Sequence, residues 1–144
     1  MTTTLRIARA PGYTGPLPAH QTARAAGLDL YAAHPLGLPY AEVRRVSTGI
    51  AVEIPPGHVG LIRGRSGLAS AGLIVVEGTI DEDYRGEVSV LAYTLGPGYE
   101  VQPGMRIAQL VIVPYVRCEV IEVAAADLTP TVRGAGGFGS TGAR

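Results

Sequence analysis

Apolar and polar residues alternate with a period of two in several short stretches of the chain. Ile50, Val52 and Ile54 are separated by Ala51 and Glu53, and the turn sequence PPGHVG follows directly. Such alternation is typical of a β-strand with one buried face. We therefore predict a strand that ends at this turn and a second short strand at GLIRG.

The same signals recur along the rest of the chain. Residues 88–95 end at the turn GPGYE, residues 106–114 are almost entirely apolar, and residues 116–123 alternate again. Each of these stretches is predicted to form a strand. Helical signals are weak, and they predict only short turns at residues 66–71 and 19–26.

Strands separated by turns rich in glycine and proline favour an all-β fold, a barrel or sandwich of the jelly-roll kind. The 144 residues suit one domain, and 47% of them are hydrophobic, which is enough for one core. The strand pattern is lost after Val123. We predict a single domain over residues 1–144, in which residues 127–144 form a C-terminal arm.

Charge and composition exclude several classes of function. Twelve acidic residues balance twelve basic ones, so we expect no nucleic acid and no membrane as partner. Every basic residue is arginine, which rules out lysine chemistry and leaves planar groups suited to phosphate. The lone Cys118 lies in an apolar alternation and is predicted to be buried. No stretch resembles a signal peptide or a membrane span, so we expect a soluble, cytoplasmic protein.

Three polar clusters interrupt the apolar pattern. Within residues 78–88, GTIDEDYRGEV, the carboxylates of Asp81, Glu82 and Asp83 lie where a hairpin tip is expected, although a solvated tip would look the same. Arg65 and Ser66 begin a helical turn whose free amides favour an anion, although an ordinary N-cap gives the same pattern. Asp29 lies within an apolar stretch, where an unpaired carboxylate would be costly, so it needs a partner.

The C-terminal sequence RGAGGFGSTGAR contains GxGxxG, but it lacks the strand and helix that a dinucleotide site requires, and no P-loop lysine is present. Its glycines would let backbone amides approach an anion, and Arg133 offers a planar donor. Phe138 offers a flat face for a base, and Ser140 and Thr141 add hydroxyl donors. We interpret this tail as a lid that orders over a nucleotide, with a disordered tail as the alternative.

Five stretches, AGLDL, GRSGLAS, GTIDEDYRG, GMRIAQL and RGAGGFGSTG, follow one another between residues 26 and 142. Each is a weak signal alone, but together they resemble the five ordered motifs of the trimeric dUTPases, the deoxyuridine triphosphate nucleotidohydrolases. The resemblance implies a distorted jelly-roll-like barrel of the β-clip type and a homotrimer with shared active sites. It also implies hydrolysis of dUTP to dUMP and pyrophosphate with Mg²⁺, which supplies dUMP for thymidylate synthesis and keeps uracil out of DNA.

The resemblance also implies roles for single residues. Asp81 corresponds to the general base that orients and deprotonates the water attacking the α-phosphate, and aspartates are ordinarily ionised at neutral pH. Tyr84 corresponds to the residue beneath the deoxyribose, where it would exclude a 2′-hydroxyl. The residues that correspond to phosphate contacts are Arg65, Ser66, Gly67 and Gln109. The residues that correspond to the arm, which would close a neighbouring subunit's site, are Arg133, Phe138, Gly139, Ser140 and Thr141.

The implied metal has no protein ligand that the sequence identifies with certainty. A triphosphate carries roughly four negative charges, so two arginines leave a deficit that Mg²⁺ bridging the phosphate oxygens would meet. We expect the metal to be held mainly by substrate phosphates and water. Asp29 could support it indirectly or brace the neighbourhood of Asp81.

The chain departs from the family pattern at the base. Many relatives carry an asparagine that reads uracil just before the third motif, but this chain has no asparagine, and Val76 and Glu77 occupy a shortened approach. Backbone groups of Thr79 and Ile80 could supply the donor and acceptor that uracil requires. Ser89, across the expected hairpin, is a second candidate contact.

Two other functions remain as alternatives. The dCTP deaminases share the fold and much of the motif order, but Gly67 stands where they carry a second serine. Leu91 stands near the position of their proton-handling glutamate, which argues against deamination. A non-catalytic β-sandwich binding module, in which the carboxylates are merely solvated, is the alternative from a different class.

Overall fold

Ten strands make up most of the regular structure in residues 3–137, the part of the chain that the computed structural model describes. The strands are β1 (Arg6–Arg9), β2 (Gly27–Tyr31), β3 (Leu36–Leu38), β4 (Arg44–Glu53), β5 (His58–Arg63), β6 (Leu73–Val75), β7 (Gly78–Ile80), β8 (Glu87–Thr94), β9 (Tyr99–Val101) and β10 (Arg106–Pro114). A short helix, α1 (Ser66–Ser70), and a 3₁₀ turn at Ala125–Asp127 complete the described elements. Within these residues, no helix has the length and apolar character needed to cross a bilayer.

The strands form two four-stranded antiparallel sheets and a two-stranded ribbon. The order is β1-β4-β8-β6 in the first sheet and β2-β10-β5-β7 in the second, and β3 pairs with β9. One buried cluster draws side chains from both large sheets, and each fully buried aliphatic residue contributes about 1.5–3 kcal/mol. Its largest members are Leu30, Leu38, Val46, Ile50, Val52, Ile54, Leu73, Val88, Val90, Val101, Ile107 and Leu110. The predicted all-β, jelly-roll-like fold is confirmed.

Strand β4 contains a bulge where it pairs with β8. Three residues of β4, between Ser47 and Ala51, lie opposite the single residue Val88. Gly49, within the bulge, has a φ of 67°, which favours glycine. A Cβ on Gly49 would lie 2.6 Å from the ring of Tyr13, so a larger residue has no room there. The bulge therefore has a fixed shape, and it interrupts the regular ladder of hydrogen bonds.

The strands predicted from alternation correspond closely to β4, β5 and β8, and the predicted strand at residues 106–114 matches β10 residue for residue. The predicted helical turn at residues 66–71 is found as α1. The helical turn predicted at residues 19–26 is found only as a single turn, in which the amide of Ala25 donates to the carbonyl oxygen of Thr22 at 3.1 Å, and Ala19 instead forms a β-bridge with Asp29. The amide of Asp29 donates to the carbonyl oxygen of Ala19 at 2.9 Å, which ties the start of this segment to β2.

The strand predicted at residues 116–123 is also wrong in the single chain. Val116 and Val120 are 86% and 93% exposed, and the segment pairs with no strand among residues 3–137. Cys118, which we expected to be buried, is exposed for the same reason. A period of two indicates which face a strand would bury, but burial requires a neighbouring surface that one chain does not provide here.

The expected hairpin around residues 78–88 has an unexpected form. Strands β7 and β8 are joined by a turn, but β7 pairs with β5 in one sheet and β8 pairs with β4 and β6 in the other. β7 is therefore the edge of its sheet. The two strands splay apart, and a pocket opens between them.

Candidate active site

The predicted site residues of the described chain fall into two separate pockets. The first, which we call the β7–β8 pocket, has a cavity volume of about 330 Å³. Its predicted lining residues are Thr79, Ile80, Asp81, Tyr84 and Ser89. The second, the β2–α1 pocket, has a cavity volume of about 370 Å³, and its predicted lining residues are Asp29, Arg65, Ser66, Gly67 and Gln109.

The β7–β8 pocket is bordered by an unpaired strand edge. One side of β7 pairs with β5, with Leu61 opposite Thr79, and the other side faces the cavity. An edge strand presents backbone N–H and C=O groups that a partner can pair with. A planar ring that carries both donors and acceptors could therefore bind along this edge much as a further strand would.

Tyr84 is held in a defined position at this pocket. Its hydroxyl donates to the carbonyl oxygen of Glu87 at 3.1 Å, and its ring lies beside Gly86. A Cβ on Gly86 would collide with the tyrosine hydroxyl, so the ring needs glycine at that position. Tyr84 remains 43% exposed, which leaves part of the ring available to a ligand.

Asp81 follows the last residue of β7 and is exposed beside the pocket. Its carbonyl oxygen accepts a hydrogen bond from the amide of Tyr84 at 3.1 Å, which closes the turn. The carboxylate of the predicted general base and the ring of Tyr84 therefore belong to one local unit.

Glu87 is a pocket residue that sequence reasoning missed. Its Oε1 accepts hydrogen bonds from the hydroxyl of Ser47 and from the amide of Gly49, the latter at 3.0 Å. Burial raises the pKa of Glu87, but these hydrogen bonds and the charge of Arg45 outweigh burial and hold the pKa below its ordinary value. The carboxylate is therefore ionised at neutral pH. No motif pointed to it, because the contact depends on the bulge in β4.

A buried carboxylate organises the β2–α1 pocket. Asp29 is only 7% exposed, and its Oδ1 lies 3.5 Å from Nε of Arg65. Its Oδ2 lies 3.2 Å from Nη1 of Arg106, and Nη1 of Arg65 donates to the carbonyl oxygen of Arg106 at 2.9 Å. The expectation that Asp29 has a partner is confirmed, and Arg106 is an addition to the predicted site. Within the chain Asp29 braces these two arginines and does not contact Asp81.

The start of α1 forms the opposite wall of this pocket. Arg65 occupies the N-cap position, and no side chain among the described residues caps the helix. The ordinary N-cap that the sequence left open is therefore not formed by Ser66. A Cβ on Gly67 would meet nothing within 4 Å, so the wall is open at that point.

Gln109 crosses the pocket from the central part of β10. Its Nε2 donates to the carbonyl oxygen of Gly64 at 3.1 Å. Its Oε1 lies where a Cβ of Gly27 would be, so glycine at position 27 is required for this placement. The amide side chain thus links β2, β10 and the loop before α1.

The two pockets lie at a distance from each other within one chain. Ile80 pairs with Gly60, so Asp81 lies beside the start of β5, whereas Arg65 follows the end of β5. β5 contains 6 residues and at about 3.3 Å per residue is roughly 20 Å long, so Asp81 and Arg65 lie near its opposite ends. The pockets share no lining residue. The predicted site residues of one chain are therefore divided between two pockets.

The arm is described only in part. Nε of Arg133 donates to the carbonyl oxygen of Gly136 at 2.9 Å, and Arg133 lines neither pocket. The predicted contacts at Phe138, Gly139, Ser140 and Thr141 lie outside the described residues.

Residues 3–137 contain no group of three or more histidines, cysteines or carboxylates arranged to hold a metal ion. The carboxylate nearest the predicted phosphate contacts is Asp29, and both of its oxygens face arginines. This donor set suits a ligand that carries negative charge better than a bare cation.

Comparison with known proteins gives consistent results. The family model described as dUTPase matches residues 14–142. The deoxyuridine 5'-triphosphate nucleotidohydrolase of Methylocella silvestris is 52% identical, over 97% of this chain and 92% of that protein.

Two solved structures extend the comparison. The dUTPase of Staphylococcus bacteriophage 80alpha with dUPNHPP is 30% identical and has a TM-score of 0.87, with coverage of 98% of this chain and 99% of that chain. A mutant dUTPase from phage phi11 of S. aureus, which reveals the coordination of a structural Mg(II) ion, is 26% identical and has a TM-score of 0.79. That match covers 84% of this chain and 97% of the phage chain.

Proposed function

The chain belongs to the dUTPase family and hydrolyses dUTP to dUMP and pyrophosphate, and we propose that its active site forms where the β7–β8 pocket of one subunit meets the β2–α1 pocket of another. The observation that carries this proposal is that Asp81 and Arg65 lie near opposite ends of β5, in pockets that share no lining residue. A homotrimer with shared sites would bring them together. The deaminase and the non-catalytic module are set aside.

The uracil edge would bind along the unpaired side of β7. Backbone groups of Thr79 and Ile80 would meet its carbonyl oxygens and its N3–H, and the hydroxyl of Ser89 would add a contact from β8. Only Val76 and Glu77 connect β6 to β7, and neither provides the amide side chain found in many relatives. The pocket supports a reading of uracil that depends mainly on the backbone.

The pentose would rest on Tyr84. The hydrogen bond to the carbonyl oxygen of Glu87 holds its ring, and the ring packs closely against Gly86. The ring therefore cannot easily move aside. A 2′-hydroxyl would meet this ring, which gives a steric reason for the exclusion of UTP.

The phosphates would bind in the β2–α1 pocket of the second subunit. Asp29 holds the guanidinium groups of Arg65 and Arg106, and prearranged donors bind phosphate without first losing conformational freedom. Ser66, Gly67 and Gln109 would add hydroxyl, backbone and amide contacts.

Hydrolysis would begin when Asp81 accepts a proton from a water molecule aligned with the α-phosphorus. The water oxygen forms a bond to that phosphorus, the bond to the bridging oxygen breaks, and pyrophosphate leaves with the electron pair. When bound, Mg²⁺ would offset part of the triphosphate charge. Phosphate oxygens and water would be its ligands, since both oxygens of Asp29 already face arginines.

The arm of a further subunit would close the site. Arg133 would pair with a phosphate, Phe138 would stack on the base, and Gly139, Ser140 and Thr141 would contact the γ-phosphate. In support, Arg133 lines neither pocket of its own chain. Product dUMP would supply thymidylate synthesis, and removal of dUTP would keep uracil out of DNA. The cytoplasmic location stays a prediction.

Replacement of Asp81 tests the chemistry. Asp81→Asn keeps the shape and removes the base, so pyrophosphate release from dUTP should fall about 10²- to 10⁴-fold. Asp83→Asn, an exposed carboxylate in the same turn, is the matched control and should retain the parent rate. Release at the parent rate by Asp81→Asn would contradict the mechanism.

Subunit mixing tests the shared site. Asp81→Asn and Arg65→Ala chains should each be nearly inactive, but sites that combine Asp81 of one chain with Arg65 of the other would be intact. Equal co-expression should then restore about a quarter of the parent activity, as random assembly of shared sites requires. No recovery in verified mixed assemblies would mean that one chain supplies both groups.

A further inference from the structure

We propose that Glu87 is a positioning residue that fixes Tyr84 for pentose selection by locking the bulge of β4 against β8. The inference rests on the proposed role of Tyr84 beneath the deoxyribose. It concerns a residue that no motif identifies, and it assigns Glu87 no contact with the substrate.

The side chain of Glu87 replaces a missing part of the β-ladder. Where β4 bulges, regular pairing with β8 is lost, and backbone donors need another acceptor. Oε1 of Glu87 accepts from the amide of Gly49 and from the hydroxyl of Ser47. The hydroxyl of Thr48 donates to the carbonyl oxygen of Val88, which adds a third link between the bulge and β8.

The main chain of Glu87 holds the substrate-facing ring. Its carbonyl oxygen accepts the hydrogen bond from the hydroxyl of Tyr84 at 3.1 Å. One residue therefore binds the bulge through its side chain and Tyr84 through its backbone. A shift of Glu87 away from β4 would move the acceptor on which the tyrosine ring depends.

The bulge is itself held by hydrogen bonds to other segments of the chain, so its position is fixed. The carbonyl oxygen of Gly49 accepts from the amide of Ala10, and the carbonyl oxygen of Ser47 accepts from the amide of Ala33, both at 2.8 Å. The ring of Tyr13 also packs against Gly49. The chain of contacts thus runs from the N-terminal loop through the bulge and Glu87 to Tyr84.

Steady-state hydrolysis of dUTP and UTP tests the proposal. Glu87→Ala should lower the preference for dUTP over UTP about tenfold, as loss of the supporting hydrogen bonds predicts. Its kcat for dUTP should stay within about threefold, because the general base is unchanged. Glu87→Gln should retain the preference, since its amide oxygen can accept both hydrogen bonds. Glu53→Ala, which removes an exposed pair with Arg6, is the matched control and should behave as the parent.

A double-mutant cycle tests whether Glu87 acts through Tyr84. Tyr84→Phe removes the hydroxyl, so Glu87→Ala should have little further effect on the dUTP preference in that background. If Glu87→Ala does not fold, Ser47→Ala removes one of the two donors and should change the preference in the same direction.

Three outcomes would overturn the inference. In one, Glu87→Ala melts at a lower temperature but keeps the parent preference, which would leave Glu87 a purely structural residue. In another, the effects of Glu87→Ala and Tyr84→Phe are fully additive. In the third, the parent enzyme cleaves UTP as well as dUTP, which would remove the proposed role of Tyr84 itself. The first two results leave the proposed role of Tyr84 intact. Failure of the inference about Glu87 can therefore be distinguished from failure of the proposed function.

Discussion

The two pockets of the chain offer different physical means of binding a ligand. The β7–β8 pocket offers an unpaired strand edge and a ring held by a hydrogen bond, whereas the β2–α1 pocket offers two arginines held by a buried carboxylate. Shape and backbone donors suit a neutral base and sugar, and fixed positive charge suits a polyphosphate. Substitutions of the base and sugar contacts in the first pocket should therefore alter mainly selectivity, and substitutions of the charged groups in the second should alter binding and stability together.

The largest difference between the pockets should appear on replacing Asp29 with alanine. This leaves Arg65 and Arg106 without their common acceptor, and because both side chains reach solvent, the free energy of unfolding should fall by about 1.5–3 kcal/mol, as expected for hydrogen bonds to charged groups. Urea unfolding should show this loss, and pyrophosphate release should fall because the phosphate contacts are no longer held in place. Glu53→Ala breaks an exposed pair with Arg6 and should change the free energy of unfolding by less than about 1 kcal/mol. A parent-like Asp29→Ala enzyme would show that the arginines need no buried partner.

An effect of intermediate size is expected in the pH dependence of the free energy of unfolding, to which Glu87 of the β7–β8 pocket contributes. Hydrogen bonds from Ser47 and Gly49 lower the pKa of Glu87 in the folded chain relative to its unfolded value of about 4.3. Its ionised form therefore stabilises the fold above that value, and the contribution is lost as pH falls through the lower, folded pKa. Urea unfolding between neutral pH and about pH 3 should show a smaller decline for Glu87→Gln than for the parent. Parallel curves for the two proteins would argue against a lowered pKa at this residue.

The smallest effect should follow from replacing Thr79 with alanine. Thr79 is exposed on β7, and a base read by the backbone does not need its hydroxyl. The kcat/KM for dUTP should therefore stay within about twofold, a change equivalent to under 0.5 kcal/mol. A tenfold loss would mean that the threonine side chain takes part in reading uracil, and the contrast between the two pockets would be weaker than proposed.

The sequence predicted those parts of the fold that depend on local pattern. The bounds of β10 match the prediction because nine successive residues carry the signal. Residues 116–123 carry the same kind of signal, yet they form no strand in the described chain. Periodicity reports a face that can be buried, but it does not report whether a partner strand is present.

The site was predictable by residue type more readily than by contact. The need for a partner at Asp29 followed from its apolar neighbours, but Arg106, 77 residues away in sequence, could not be chosen by that argument. Glu87 was missed altogether because its role depends on the bulge between Ser47 and Ala51. Such contacts depend on strand register, which residue spacing alone does not determine.

The separation of the two pockets has a genetic consequence. If each subunit lends Asp81 to one reaction centre and Arg65 to a different one, a copy damaged at both positions silences two centres in every assembly it joins. In an equal mixture with intact subunits, about a quarter of the centres rather than half would then stay intact, so a defective allele would also reduce the output of the healthy one.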